Sequence, residues 1–214
     1  MLGLTGDDRE PAGAMIIGRF EDGTPVTLSK IARGETPPNN FNYSVDPGSR
    51  CPFLAHIRKA NPRGAGGAEP EPVERGHLMP RRGIPYEDVK RITHPAELPE
   101  ATDLASFNAK VAPLLPTGGV GLLFMAYNQT IAQQFKFTQQ TWVNNTNFPV
   151  QPPGVHGIDP VIGQGVNNPG DQKLPSQWDN PAAGTNNNVA FAGFVKMKGG
   201  EYFFSPSLTF LRNL

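Results

Sequence analysis

The chain has 214 residues, enough for one domain of ordinary size with a buried core. Nineteen Lys and Arg side chains balance nineteen Asp and Glu side chains. This zero net charge excludes a global electrostatic attraction to nucleic acid or to anionic membranes. The 24 glycines and 23 prolines exceed a fifth of the residues, which indicates a loop-rich fold rather than a helix bundle.

The cysteine count and the start of the chain bear on its compartment. A single cysteine, Cys51, excludes an intrachain disulfide framework and fits a reducing compartment. The first residues, MLGLTGDDREPAG, lack the basic segment and apolar stretch of a signal peptide. The longest apolar runs, such as 120–127, fall far short of a membrane span. We therefore expect a soluble, cytoplasmic protein.

Short elements between long loops are predicted for the first part of the chain. Residues 14–20, AMIIGRF, favour a short helix or strand that stops at Asp22-Gly23. Residues 51–60, CPFLAHIRKA, predict one short helix, because Phe53, His56 and Ile57 would share a face at i, i+3, i+4 spacing. The remaining segments read as loops: 31–50 and 61–76.

The second part of the chain completes an α+β pattern with an antiparallel sheet. Weak helical segments occur around EDVKRI (87–92) and ATDLASFNAKVAPLL (101–115). GVGLLFMAY (119–127) predicts a buried strand, followed by a helix over 128–145 with Asn128 or Thr130 as N-cap. Residues 143–188 are a long irregular excursion, and residues 188–214 predict two strands around Gly199-Gly200, then a helix begun by Ser205-Pro206.

Three stretches contain residues suited to chemistry, and each has a plainer interpretation. His56 lies among apolar residues, close to Arg58 and Arg63, and is either a packed histidine or a metal ligand beside an anion clamp. The twin arginines of RRGIPY, which begin at Arg81, precede a Gly-x-Pro turn and either hold an anion or face solvent. GLLFMAY either lines an apolar slot or packs in the core.

Taken together, six segments resemble the C-terminal half of the dye-decolourising peroxidase family of haem enzymes. They occur in the family's order and cover most of the chain from about Ala14 to Leu214. They are AMIIGRFEDGTPV, NNFNYSVDPGSRCPFLAHIRKANPR, RRGIPY, GLLFMAYNQTIAQQFKFTQQTW, GIDPVIGQG and MKGGEYFFSPSLTFLR. The resemblance implies an N-terminal extension (1–13) and a ferredoxin-like α+β domain (14–214) that holds haem b, with antiparallel sheet, surrounding helices and long loops.

The resemblance also implies roles for individual residues. His56 of AHIRK matches the proximal iron ligand, and Asp159 of GIDP matches the residue that holds its other ring nitrogen. Arg81 matches the distal arginine, which helps polarise hydrogen peroxide. The Leu and Phe of GLLF, Leu122 and Phe124, border the distal face. On electrostatic grounds, Arg58 and Arg63 are candidate partners of the haem propionates.

Members of this family have two ferredoxin-like halves, and the first carries a GxxDG motif whose aspartate is the distal acid-base. GRFEDG (18–23) has the wrong spacing and belongs to a downstream segment, so it does not match that motif. Either the chain is a natural or proteolytic fragment, or the first half is a separate polypeptide. We expect the second, a hetero-oligomer in which another chain donates the aspartate. The expected function is a haem peroxidase, or one subunit of one, that reduces hydrogen peroxide and oxidises dyes or phenolic compounds. Alternatives are a haem-binding module without efficient turnover and a structural domain without cofactor.

Overall fold

A computed structural model describes residues 9–34, 36–87, 98–115, 118–186, 191 and 193–214. In this part of the chain, short helices and strands are connected by long loops. The helices are α1 (Arg9–Ile17), α2 (His56–Ala60), α3 (Glu71–Gly76), α4 (Leu104–Ser106), α5 (Phe135–Phe137) and α6 (Leu208–Arg212). The strands are β1 (Arg81–Glu87), β2 (Val120–Ala126), β3 (Leu174–Pro175) and β4 (Thr185–Asn186). None of these helices has the length and apolar character needed to cross a membrane.

Helix α1 settles the choice left open for AMIIGRF in favour of a helix. It carries Pro11 and Glu10 in its first turn, where a proline and an acidic side chain are favourable. It ends at Ile17 and is followed by Gly18, whose positive φ of 97° is accessible to glycine at little cost. A Cβ at that position would clash with Ile57, so this glycine also lets α1 pack directly on α2. Residues 9–13 of the predicted N-terminal extension belong to α1.

Helix α2 is shorter than the predicted helix over 51–60. Its first residue is His56, because Ala55 has an extended backbone with φ −54° and ψ 133°. It ends at Ala60, since Pro62 disfavours helical geometry in the residue before it. Phe53 lies in the preceding turn rather than on the helix, so the predicted face shared by Phe53, His56 and Ile57 is wrong.

Strands β1 and β2 form an antiparallel hairpin-like sheet. The pairing runs from Arg81 opposite Ala126 to Glu87 opposite Val120. The strand predicted at 119–127 is confirmed as β2, but its predicted burial is wrong, because most of its residues are exposed. The turn predicted for RRGIPY is also wrong, because that segment is the partner strand. Both faces of this sheet are open to solvent within the described part of the chain, and the two sheet faces are therefore not part of its core.

The core lies instead beneath α1, α2 and the loops around them. One cluster joins Phe41, Tyr43, Cys51 and Ala55, and a second joins Ala14, Phe20 and Val26. Trp142 stacks on Phe148 with ring centroids 5.5 Å apart, and both rings are at most 2% exposed. Helix α2, and with it His56, packs against the π-helical segment Thr138–Val143, which contains Trp142.

The structure also bears on the predictions for the segments between α2 and β2. The loop predicted for 61–76 is wrong at α3, where Pro72 and two glutamates in the first turn favour a helix. The predicted helix at 101–115 is confirmed as α4, followed by a π-helical turn (Phe107–Val111) and a 3-10 turn (Ala112–Leu114). The segment EDVKRI lies, apart from Glu87, outside the described residues.

The predicted helix over 128–145 begins seven residues late, at Phe135, and continues as a π-helix over Thr138–Val143. Side chains compete with helical backbone bonds before that point, since Gln134 Oε1 accepts from the Gln129 and Thr130 amides. Near the C-terminus, the predicted helix is confirmed as α6, with Ser207 as its N-cap. The two strands predicted around Gly199-Gly200 are wrong, because residues 193–207 contain no strand.

Candidate functional site

The centre of the candidate site is a pair formed by His56 and Asp159. His56 Nδ1 lies 2.8 Å from Asp159 Oδ2, although the two residues are 103 positions apart. The aspartate side chain is fully buried, whereas the imidazole is 21% exposed. Among the described residues, none hydrogen-bonds the other ring nitrogen, Nε2. The ring can therefore donate from Nδ1 to the carboxylate and offer the lone pair of Nε2 to a metal.

Asp159 is held by its own backbone neighbours. Its Oδ1 accepts from the amides of Val161, at 2.7 Å, and Ile162, at 3.0 Å. Its backbone N–H donates to the Val143 carbonyl at 3.0 Å. A turn closes behind it, because the Gly163 amide donates to the Asp159 carbonyl at 3.0 Å. A Cβ at Gly163 would clash with that same carbonyl, so the close approach requires glycine.

The basic residues after His56 bind the chain's own carbonyl groups. Arg58 is 2% exposed, and its guanidinium donates to the carbonyls of Cys51 and Asp46. Its Cζ lies 4.3 Å from the centre of the Phe53 ring. Arg63 is half-buried and donates to the carbonyls of Asn39 and Phe41. The hydrogen bonds of both guanidiniums are thus made to the chain itself. Contact of Arg58 or Arg63 with a haem propionate stays a prediction.

Lys59, which the sequence suggested only as one of the cations of an anion clamp or a solvated basic turn beside His56, is the most buried of these cations. It is 0% exposed, and its Nζ donates to three carbonyls, those of Asn145, Phe148 and Gly157, at 2.6–2.8 Å. Burial lowers the pKa of Lys59 to about 7, and the negative charge of Asp159 opposes this shift. Only the protonated amine has three N–H donors for three acceptors. The only sequence signal for this role is its spacing of three from His56, which puts both on one side of α2.

Arg81, Leu122 and Phe124 lie together on the β1–β2 sheet. Arg81 pairs with Ala126 and Gly83 pairs with Phe124, so the register puts Arg81, Phe124 and Leu122 on one face. All three residues are exposed. The Phe124 ring lies 6.2 Å from Phe135, which connects this face to α5. The predicted site residues thus form two groups in the structure. One is the His56–Asp159 pair, and the other is the sheet face with Arg81, Leu122 and Phe124.

The two other histidines among the described residues, His77 and His156, bind partners away from His56, and His94 lies outside the described residues. His77 is 6% exposed, with Nδ1 2.5 Å from the Gln133 carbonyl and Nε2 2.9 Å from Glu69. Its ring stacks on Phe137 at 3.7 Å, so it joins α3 to α5. His156 is 8% exposed, and burial lowers its pKa. Both have their own partners within the fold.

The sequence and the fold are similar to those of known peroxidases. The chain is 50% identical over 222 residues to the multifunctional dye peroxidase DyP2 of an Amycolatopsis species, covering 100% of this chain and 43% of that protein. It is 37% identical to the dye-decolorizing peroxidase AauDyP1 of Auricularia auricula-judae, over 92% of this chain and 38% of that protein. The chain belongs to the dye-decolourising peroxidase family.

Solved structures of this family agree. The Amycolatopsis DyP2 structure superposes with a TM-score of 0.81 at 48% identity, covering 100% of this chain and 43% of that one. The Anabaena peroxidase AnaPX gives 0.73 at 39% identity, covering 95% and 38%. The predicted ferredoxin-like α+β class is thereby confirmed. No protein-family model matches the chain. The chain spans well under half the length of these relatives.

Proposed function

We propose that the chain binds haem through His56 and forms one side of a peroxidase site. This site would reduce hydrogen peroxide and oxidise dyes or phenolic compounds. The observation that carries the proposal is the 2.8 Å contact between His56 Nδ1 and the buried Asp159 carboxylate, which leaves Nε2 available. The names of the relatives, several of them dye-decolorizing peroxidases, support the same class of reaction.

The donor set fits the iron of a haem. A neutral imidazole whose second nitrogen is bound to a carboxylate is the usual axial ligand arrangement, and the carboxylate makes the ligand more basic. His56 would supply the proximal ligand, Asp159 would hold its ring orientation, and haem b is the expected form. Haem, when bound, supplies the electrons that reduce the peroxide and then accepts electrons from the organic reductant.

The sheet face defined by Arg81, Leu122 and Phe124 would form the opposite side of the cavity. The guanidinium of Arg81 offers fixed hydrogen-bond donors, which favour negative charge that develops on a peroxide oxygen. Leu122 and Phe124 would exclude water around that oxygen and so strengthen the interaction with Arg81. Arg58 and Arg63 would favour bound propionates mainly through their charge, because their hydrogen-bond donors already engage the chain's own carbonyl groups.

We further propose that a second polypeptide covers the β1–β2 sheet and carries the GxxDG aspartate. The apolar side chains on both sheet faces are about half exposed: Leu122 53%, Leu123 55%, Phe124 48% and Met125 49%. Large apolar side chains exposed on both faces of a sheet are typical of a sheet that contacts a partner. The aspartate would accept and return the peroxide proton beside Arg81, because the acidic residue of this sheet face, Glu87, lies six positions from Arg81 at the other end of β1.

Reconstitution with haemin tests the haem assignment. The purified chain should develop a Soret band at stoichiometric haem, and His56→Ala should abolish it while leaving the circular dichroism spectrum unchanged. A wild-type chain that never develops the band would overturn the assignment. An equal band in His56→Ala would show that another residue binds the iron.

Mass spectrometry of the native complex tests whether a second polypeptide is present. A single longer chain that contains both halves would contradict this proposal. Peroxide-dependent dye oxidation should appear only with the partner present and should fall at least a hundredfold in Arg81→Leu, in line with loss of a positioned donor. Haem binding without turnover, even in the complex, would favour the haem-binding module instead.

A further inference from the structure

Lys59 makes an unusual set of contacts for a residue outside the proposed iron ligands. Its side chain leaves the same short helix as His56 and is completely buried. The three carbonyl groups that it binds all belong to one segment, the loop from Asn145 to Gly157. Few buried lysines lack a directly bonded carboxylate, so a backbone-only set of partners calls for a specific explanation.

The three contacts hold both ends of that loop. Asn145 and Phe148 lie at its beginning and Gly157 at its end. The carbonyl of Thr146 accepts from the amides of His156, at 2.7 Å, and Gly157, at 3.1 Å, so the two ends already lie side by side. Lys59 therefore ties the base of a closed loop to α2.

Asp159 follows this base directly. Only Ile158 separates Gly157, whose carbonyl Lys59 binds, from the aspartate that pairs with His56. On the other side, His56 and Lys59 belong to a single helical turn. The loop base and the helix are thus joined twice, once through Lys59 and once through the His56–Asp159 contact.

We propose that Lys59 is a positioning residue that fixes Asp159 against Nδ1 of His56 by anchoring the loop base to α2. The role of this pair in haem chemistry rests on the proposed function, but the anchoring itself does not. The competing explanation is that Lys59 only stabilises the fold. On that view, the backbone contacts of Asp159 with Val143, Val161 and Ile162 would hold the pair without help.

Nuclear magnetic resonance of the haem-free chain separates the two explanations. The Nδ1–H proton of His56, assigned by its loss in His56→Gln, should exchange slowly because the buried carboxylate accepts it. In Lys59→Met, we expect its exchange to be at least tenfold faster. A control, Asp22→Asn, likewise removes a charge that binds three backbone groups, here amides within residues 24–34, and should leave the exchange rate unchanged.

A second variant covers the case in which Lys59→Met does not fold. Lys59→Gln keeps two N–H donors without the charge and should give a smaller increase in exchange. A folded Lys59→Met or Lys59→Gln protein that keeps the wild-type exchange rate would overturn the proposal. So would a rate increase of equal size in Asp22→Asn, which would show a general loss of stability.

The haem-loaded protein gives an independent readout. Lys59→Met and Asp159→Asn should each change the relative affinity for ferric and ferrous haem in the same direction, by about tenfold, or about 59 mV. The double variant should equal Asp159→Asn alone, because both changes act through one contact. Additive shifts would contradict this. Absence of haem binding by the wild-type chain would overturn the proposed function, while the exchange measurement would still decide the role of Lys59.

Discussion

Replacement of Asp159 offers the sharpest quantitative test of the site. In Asp159→Ala, the amides of Val161 and Ile162 lose their acceptor, the carboxylate of a residue that is 0% exposed. Each buried N–H left unpaired costs about 1–3 kcal/mol, so the free energy of unfolding should fall by about 4 kcal/mol. The His56 ring is left out of this sum, because its 21% exposure lets water replace the carboxylate.

Asp159→Asn is the matched comparison. The amide oxygen of asparagine still accepts from Val161 and Ile162, so the free energy of unfolding should fall by only about 1 kcal/mol. For a chain of this size, 1 kcal/mol corresponds to about 2–4 °C in Tm. The alanine variant should therefore melt about 8–16 °C below the wild type and the asparagine variant about 2–4 °C below it.

Calorimetry of the haem-free proteins measures these differences without a contribution from ligand binding. Equal Tm values for the wild type and Asp159→Ala would refute the reasoning, because the two amides would then have other partners. Equal losses in the alanine and asparagine variants would show that the charge, rather than the acceptor oxygen, stabilises this turn.

Three further predictions follow from single residues. Gly163→Ala should lower Tm strongly, because the new methyl group would clash with the Asp159 carbonyl, whereas Gly165→Ala adds a methyl group at ordinary contact distance and should have little effect in the same melting experiment. Backbone hydrogen bonds from Thr24 and Gly34 lower the pKa of Asp22 to about 2, so its contribution is present above pH 3.8 and is lost as the pH falls towards 2. The difference in urea midpoint between wild type and Asp22→Asn should accordingly shrink between pH 5 and pH 2.5, and a constant difference would contradict it. Burial raises the pKa of the Cys51 thiol to about 12, so a thiol reagent at pH 8 should label it only after urea is added.

The sequence predicted those parts of the site that depend on local motifs. AHIRK, RRGIPY and GIDP each identified a residue by its neighbours, and the structure places His56 beside Asp159 and Arg81 on the same sheet face as Phe124. Strand β2 was likewise readable from its continuous apolar run. The assigned roles in haem binding and catalysis stay predictions.

Features that depend on distant partners could not be read in this way. RRGIPY is a strand because it pairs with β2 along its whole length. This pairing outweighs the turn preference of Gly83 and Pro85. The late start of α5 comes from side-chain bonds of Asn128 and Gln134 that periodicity does not register. The role of Lys59 depends on a loop that begins 86 residues later.

The 103-residue separation between His56 and Asp159 has a consequence for the order of folding. Contacts this far apart form late, because the intervening chain must lose most of its freedom before the ends meet. The three hydrogen bonds of Lys59 join residues that are 86–98 positions apart, so they close nearly the same loop of chain as the His56–Asp159 contact. The conformational entropy lost in closing that loop is therefore shared by all four hydrogen bonds. An imidazole with a fixed tautomer at position 56 should therefore appear only in the last stage of folding, after the polypeptide has reached its final topology.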